Sequence, residues 1–127
     1  MSRLTTELFI EPKIVRENII QLKNKIDASS KFMAIIKSDA YGHILPNIVR
    51  DIDDLVDGYG VVRLEEAIEL RKISNKKILL MQGVYSKEDL KESISNSLDL
   101  VIHNSHQFEI VKEDNHFKSL WLSLIHI

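Results

Sequence analysis

The sequence contains no cysteine, so it can form neither a disulfide nor a cysteine-ligated zinc site, which fits a reducing compartment. No apolar run approaches the roughly 20 residues a membrane-spanning helix needs. The first residues, Met1-Ser2-Arg3-Leu4-Thr5-Thr6-Glu7, lack the apolar core of a signal peptide. Charge of either sign is not in excess. The 17 Lys and Arg residues against 19 Asp and Glu give a formal net charge of -2, spread along the chain. That balance favours neither nucleic acid nor an anionic membrane as partner. The expectation is a cytoplasmic protein. What is present is ordinary for one globular domain: 127 residues, 44% hydrophobic and 28% charged.

The most informative stretch runs from Phe32 to His43. Phe32, Met33, Ala34, Ile35 and Ile36 are consecutive apolar residues, which predicts a strand buried on both faces. The run stops at Lys37, and Tyr41, Gly42 and His43 follow before an apolar helical pattern restarts at Ile44. The order is strand, polar turn, helix. In α/β folds the chemistry sits in that turn, at the carboxyl end of the strand. An amine held there, partly out of water, can form a Schiff base with a carbonyl. Most lysines just after a strand are nonetheless solvated loop residues.

Thr6 to Glu11 is a β-prone stretch, and Pro12 suits the first turn of a helix. Val15, Ile19, Leu22 and Ile26 then predict an apolar stripe on a helix of about fifteen residues, with Arg16, Glu17, Lys23 and Lys25 on its wet side. Ile44, Leu45, Ile48, Val49 and Ile52 predict a further amphipathic helix, with Pro46 in its first turn. Strands are predicted near residues 33–37, 58–62, 78–82, 99–103 and 120–124, separated by helices. Arg63–Arg71, after the second strand, is predicted to be a helix with Glu and Arg at spacings that favour ion pairs. Ser86 with Asp89 resembles a capping box, and Asn104 or Ser105 can cap another helix.

Short apolar strands alternating with amphipathic helices imply parallel βαβ units. An open doubly wound sheet and a partial (β/α)8 barrel both fit that pattern. Asp51, Asp53, Asp54 and Asp57 lack the spacing of a calcium loop, and no metal site is expected. His43, His103, His106, His116 and His126 are scattered without metal-ligand spacing, and structural or surface roles are expected.

The string Ile36-Lys37-Ser38-Asp39-Ala40-Tyr41-Gly42-His43 closely resembles the pyridoxal-phosphate attachment motif of the bacterial alanine racemases. The resemblance extends through Asp57–Ala67, Ile78–Gly83 and Leu98–Asn104, from about Leu8 to Leu122. It implies a partial (β/α)8 TIM-type barrel, about five of eight parallel strands with intervening helices. It implies pyridoxal 5'-phosphate as cofactor, Lys37 as the catalytic lysine that carries it, and Tyr41 as donor to its phosphate. It implies interconversion of L-alanine and D-alanine, with D-alanine feeding peptidoglycan, and a homodimeric full-length parent. Two alternatives stay open: a racemase for another amino acid, and a non-catalytic pyridoxal-phosphate-binding barrel.

After Trp121-Leu122 the family pattern continues with a lysine where this chain has Ser123. Residues 1–122 are therefore expected to be the N-terminal half of a pyridoxal-phosphate-binding barrel. Residues 123–127 are expected to be the non-native end of a truncated chain, inactive alone.

Overall fold

The computed structural model describes residues 6–114 and 119–123. His116, His126 and the predicted strand end at 124 lie outside the described residues. The elements run α1 (Pro12–Lys23), β1 (Met33–Ile35), α2 (Lys37–Gly42), α3 (Leu45–Ile52), β2 (Gly58–Val61) and α4 (Leu64–Arg71). They continue β3 (Lys77–Leu80), α5 (Lys87–Ser95), β4 (Asp99–Ile102), α6 (Ser105–Val111) and β5 (Leu120–Leu122).

The strands form one sheet in the order β1-β2-β3-β4-β5, and every neighbouring pair is parallel. A doubly wound sheet reverses its strand order at a switch point. This order never reverses, so the sheet is an arc of a (β/α)8 barrel, five strands with intervening helices.

Contacts separate the two faces of the sheet. A Cβ placed on Gly60 would meet Ile35 Cδ1 at 2.5 Å and Met81 Sδ at 3.2 Å. Met33, Ile35, Gly60 and Met81 therefore share the inner face, which Leu79 joins as the register partner of Gly60. Strand alternation sends Ile36, Tyr59, Val61, Ile78, Leu80, Leu100 and Ile102 to the other face, beneath the helices. These residues are buried together with Ile48, Val49 and Ile52 of α3 and Ala67 and Leu70 of α4. Each large apolar side chain so buried contributes roughly 1.5–3 kcal/mol. The single core lies between sheet and helices.

Expectation and structure differ at the N-terminal end. Residues 6–11 join no sheet, and Leu8 and Phe9 are exposed. A β-prone stretch needs a neighbouring strand, and the ladder ends at β1. Helix α1 has 12 residues rather than fifteen. Ile19 is buried and Val15 half-buried, while Leu22 and Ile26 are exposed. The helix lies along α3. Arg16, expected on the wet side, forks onto Asp54 and donates to the Asp51 carbonyl at 2.8 Å. Lys23 likewise donates to the Leu55 carbonyl at 2.6 Å. Position against α3, not stripe periodicity, decides which side of α1 is covered.

Two polar clusters fix the amino end of the sheet. Arg71, in the last turn of α4, donates to the carbonyls of Ser74, Lys76, Asn96 and Ser97 at 2.8–3.2 Å. One planar guanidinium thus ties the loop before β3 to the loop before β4. The fully buried Tyr59 donates its hydroxyl to Asp53 at 3.1 Å, and Ser74 donates to the same carboxylate oxygen at 2.5 Å. Burial, then the Asp53 charge, pushes the Tyr59 phenol above its ordinary range.

Candidate active site

Lys37 stands at the carboxyl end of β1. The Ile36 amide donates to the Gly60 carbonyl at 2.9 Å, so the ladder runs one residue beyond β1. Lys37 follows directly, where Ile36 (φ -125°, ψ 29°) has already left extended backbone and α2 begins. The lysine is half-buried.

The turn after it, α2, is left-handed. Ser38, Asp39, Ala40 and Tyr41 all have φ between 54° and 55°. For side chains bearing a Cβ, this conformation costs roughly 1–2 kcal/mol per residue. No sequence rule predicts four such residues in a row, and none of the four is glycine.

Specific hydrogen bonds hold the turn. The Ser38 amide donates to Glu66 Oε1 at 2.6 Å. The Leu45 amide donates to Asp39 Oδ1 at 2.8 Å, which ties the turn to the start of α3. His43 Nδ1 donates to the Ala40 carbonyl at 2.9 Å. The Ala40 side chain is buried in the core. Gly42 (φ +83°) and Ile44 (φ 62°) return the chain to the right-handed α3. The expected restart of the helix at Ile44 is therefore one residue early: Ile44 is the cap and is exposed.

The turn brings Lys37 and Tyr41 together. Lys37 Nζ lies 5.8 Å from the centre of the Tyr41 ring, and Tyr41 is 62% exposed. A half-buried amine and an exposed phenol thus stand side by side at the carboxyl end of β1. The rim continues with His103 after β4, whose Nε2 donates to the Met81 carbonyl at 2.5 Å. The fully buried Gln107 accepts from the His103 amide at 2.8 Å and donates to the Gln82 carbonyl at 2.7 Å. Gly83, at φ +73°, packs so closely on the Val101 carbonyl and Gln107 that a Cβ there would collide.

The remaining sequence candidates do not converge on this rim. Asp53 is engaged by Tyr59 and Ser74, and Asp54 by Arg16. Asp57 accepts from the Phe32 amide at 2.8 Å and lies 3.3 Å from Lys31. The Phe32 amide, then Lys31, holds the Asp57 carboxyl below the usual carboxylate range. His106 is exposed on α6. Ser86 caps α5 by accepting from the Asp89 amide, and Asn104 rather than Ser105 caps α6.

Glu66 is the residue sequence reasoning passed over. It was expected in ion pairs, yet its second oxygen accepts from the Arg63 amide at 3.1 Å. Its place three residues beyond the α4 N-cap, Arg63, was a legible signal for half of that role.

Fold and site together define a barrel-type β/α protein with an amine at the carboxyl end of its first barrel strand, beside a phenol. The chain belongs to the family described as alanine racemase, N-terminal domain, whose model matches residues 10–121. An alanine racemase of Haemophilus ducreyi is 39% identical over 105 residues, covering 82% of this chain and 28% of that protein. One of Shewanella sediminis is 35% identical over 118 residues, covering 91% of this chain and 32% of that protein. The biosynthetic alanine racemase of Pseudomonas aeruginosa superposes with a TM-score of 0.76 at 30% identity, covering 84% of this chain and 30% of that one. The chain thus spans less than a third of the length of these relatives.

Proposed function

We propose that this chain is the N-terminal, lysine-bearing part of a pyridoxal-phosphate-dependent alanine racemase. The observation that carries this is the α2 turn, which sets the Lys37 amine and the Tyr41 ring 5.8 Å apart at the carboxyl rim. The residues present fit the cofactor in kind: a half-buried amine for its aldehyde and an exposed phenol as donor to its phosphate. When bound, pyridoxal phosphate supplies the electron sink that makes loss of an amino-acid α-proton accessible.

Lys37 would hold the cofactor through its Nζ, and the same amine would take or return the α-proton on one face of the substrate. Tyr41 orients through its hydroxyl. Racemisation needs a base on each face, and Lys37 provides one. The other would come from outside this chain, in a full-length parent working as a homodimer. Residues 1–127 alone are accordingly expected not to racemise alanine. The product side of the reaction would supply D-alanine to peptidoglycan.

The test is direct. The chain is mixed with pyridoxal phosphate and scanned in the visible range, with Lys37→Ala as control. A band clearly stronger in the wild type than in Lys37→Ala is expected. A band of equal strength in Lys37→Ala would remove Lys37 from the site.

A further inference from the structure

We propose that Glu66 is a positioning residue for Lys37, holding the lysine's backbone from the neighbouring β/α unit. This rests on the assignment of Lys37 as the cofactor-carrying lysine. The Glu66 carboxylate has two oxygens with two separate duties. Oε1 accepts from the Ser38 amide at 2.6 Å and Oε2 from the Arg63 amide at 3.1 Å. Ser38 opens the left-handed turn after β1, and Arg63 is the N-cap of α4 after β2. One side chain therefore clamps two adjacent strand-to-helix junctions on the carboxyl rim.

The Ser38 N–H belongs to the planar peptide group that starts at the Lys37 Cα. Fixing that plane constrains ψ of Lys37 and so restrains the lysine's backbone from its C-terminal side. Ser38 is also the first of four consecutive residues in the costly left-handed region. The other two ties on the turn, from Asp39 and His43, come from within residues 37–45. Among the described residues, Glu66 gives the turn a side-chain hydrogen bond from outside residues 37–45. A charged acceptor gives the stronger kind of hydrogen bond, and α4 presents it from its first turn, where a carboxylate is favoured. Glu66 touches no reacting atom; it acts through Lys37.

The experiment measures where pyridoxal phosphate attaches on the chain. The protein is incubated with pyridoxal phosphate. A lysine amine condenses with the aldehyde with loss of water, and added borohydride delivers hydride to the C=N bond and fixes the adduct. Peptide mass mapping then gives the ratio of modification at Lys37 to that at the exposed Lys91. Glu66→Ala is expected to lower this ratio about fivefold or more, the scale set by one charge-assisted hydrogen bond. Glu66→Gln keeps one acceptor oxygen and is expected to fall between Glu66→Ala and wild type. Glu65→Ala removes a carboxylate from the same helical turn without touching Ser38 and is expected to leave the ratio unchanged. Circular dichroism in urea establishes that each variant is folded. A folded Glu66→Ala with the wild-type ratio overturns the proposal, as does an equal loss in Glu65→Ala. If Glu66→Ala does not fold, Glu66→Gln at the wild-type ratio overturns it. If wild-type Lys37 reacts no better than Lys91, the assignment of Lys37 falls and the role of Glu66 falls with it. That result is distinct from a high wild-type ratio that Glu66 leaves unmoved.

Discussion

At the scale of single residues, the site is a compromise between backbone cost and side-chain placement. Four residues with Cβ atoms occupy the left-handed region, for a local cost of roughly 4–8 kcal/mol if each costs 1–2 kcal/mol. What the turn achieves is the approach of the Tyr41 ring to the Lys37 amine. A regular right-handed helix starting at Lys37 would also set residues 37 and 41 one turn apart. It would not leave Ala40 buried and Tyr41 exposed in the same way on this backbone. Because Tyr41 is largely solvent-exposed, Tyr41→Phe should leave urea unfolding unchanged. It should weaken pyridoxal phosphate retention by about 1 kcal/mol, a roughly fivefold rise in dissociation constant, the usual net worth of one hydrogen bond. Equilibrium dialysis of both proteins measures this; unchanged retention would mean that Tyr41 does not bond the phosphate.

At the scale of elements, the strands are short and the loops that precede them carry much of the order. The Arg71 guanidinium satisfies four backbone carbonyls from two loops. Burial holds its affinity for the proton below the usual arginine range, and the Asp99 charge partly offsets this. Arg71→Met keeps much of the side-chain volume but leaves those carbonyls short of donors. It is expected to lower stability by about 2–4 kcal/mol in urea unfolding. Arg71→Lys is expected to recover less than half of that loss, since an ammonium is a point charge and cannot spread over four acceptors. Full recovery by lysine would show that charge, and not the planar fork, is what matters there.

At the scale of the whole molecule, the helical side of the sheet is closed and the inner side is partly open. Ile35 is 41% exposed and Trp121 is 45% exposed, at opposite edges of the five-stranded arc. Stability against pH has two limbs. Asp54 is held below the usual carboxylate range by Arg16, Asp57 by the Phe32 amide and Lys31, and Asp27 by Ser29. A carboxylate with a depressed folded value contributes stability above its unfolded value, near 4, and loses it as the pH falls further. Tyr59 is raised instead, so its contribution is complete below the ordinary phenol value of about 10 and is lost as the pH climbs above it. The urea midpoint should therefore form a plateau that falls below about pH 4 and above about pH 10. Asp57→Asn should flatten the acid limb and Tyr59→Phe the alkaline limb. An acid limb unchanged in Asp57→Asn would mean that the Phe32 contact contributes nothing to it.

The sequence by itself determined the order and type of the elements. Runs such as Ile78-Leu79-Leu80 and the spacing of Leu45, Ile48, Val49 and Ile52 are local patterns, and local patterns suffice to separate strand from helix. It also drew attention to Lys37, because a strand that stops at a lysine is visible in one dimension, while Tyr41 was singled out by the resemblance to the alanine racemase motif. Only the tertiary structure decided the rest. Arc and doubly wound sheet share the same alternation of elements, and strand order alone separates them. The covered side of α1 depends on α3, and the partners of Arg16 and Arg71 lie between 3 and 38 residues away in sequence. The left-handed turn defeats propensity altogether. Its residues would not choose that conformation alone, and the bonds made on it include one to the Glu66 carboxylate, 28 positions away from Ser38, on the next β/α unit. Periodicity records what a residue meets every second or every third or fourth position. It carries no information about what the fold brings to that residue from elsewhere.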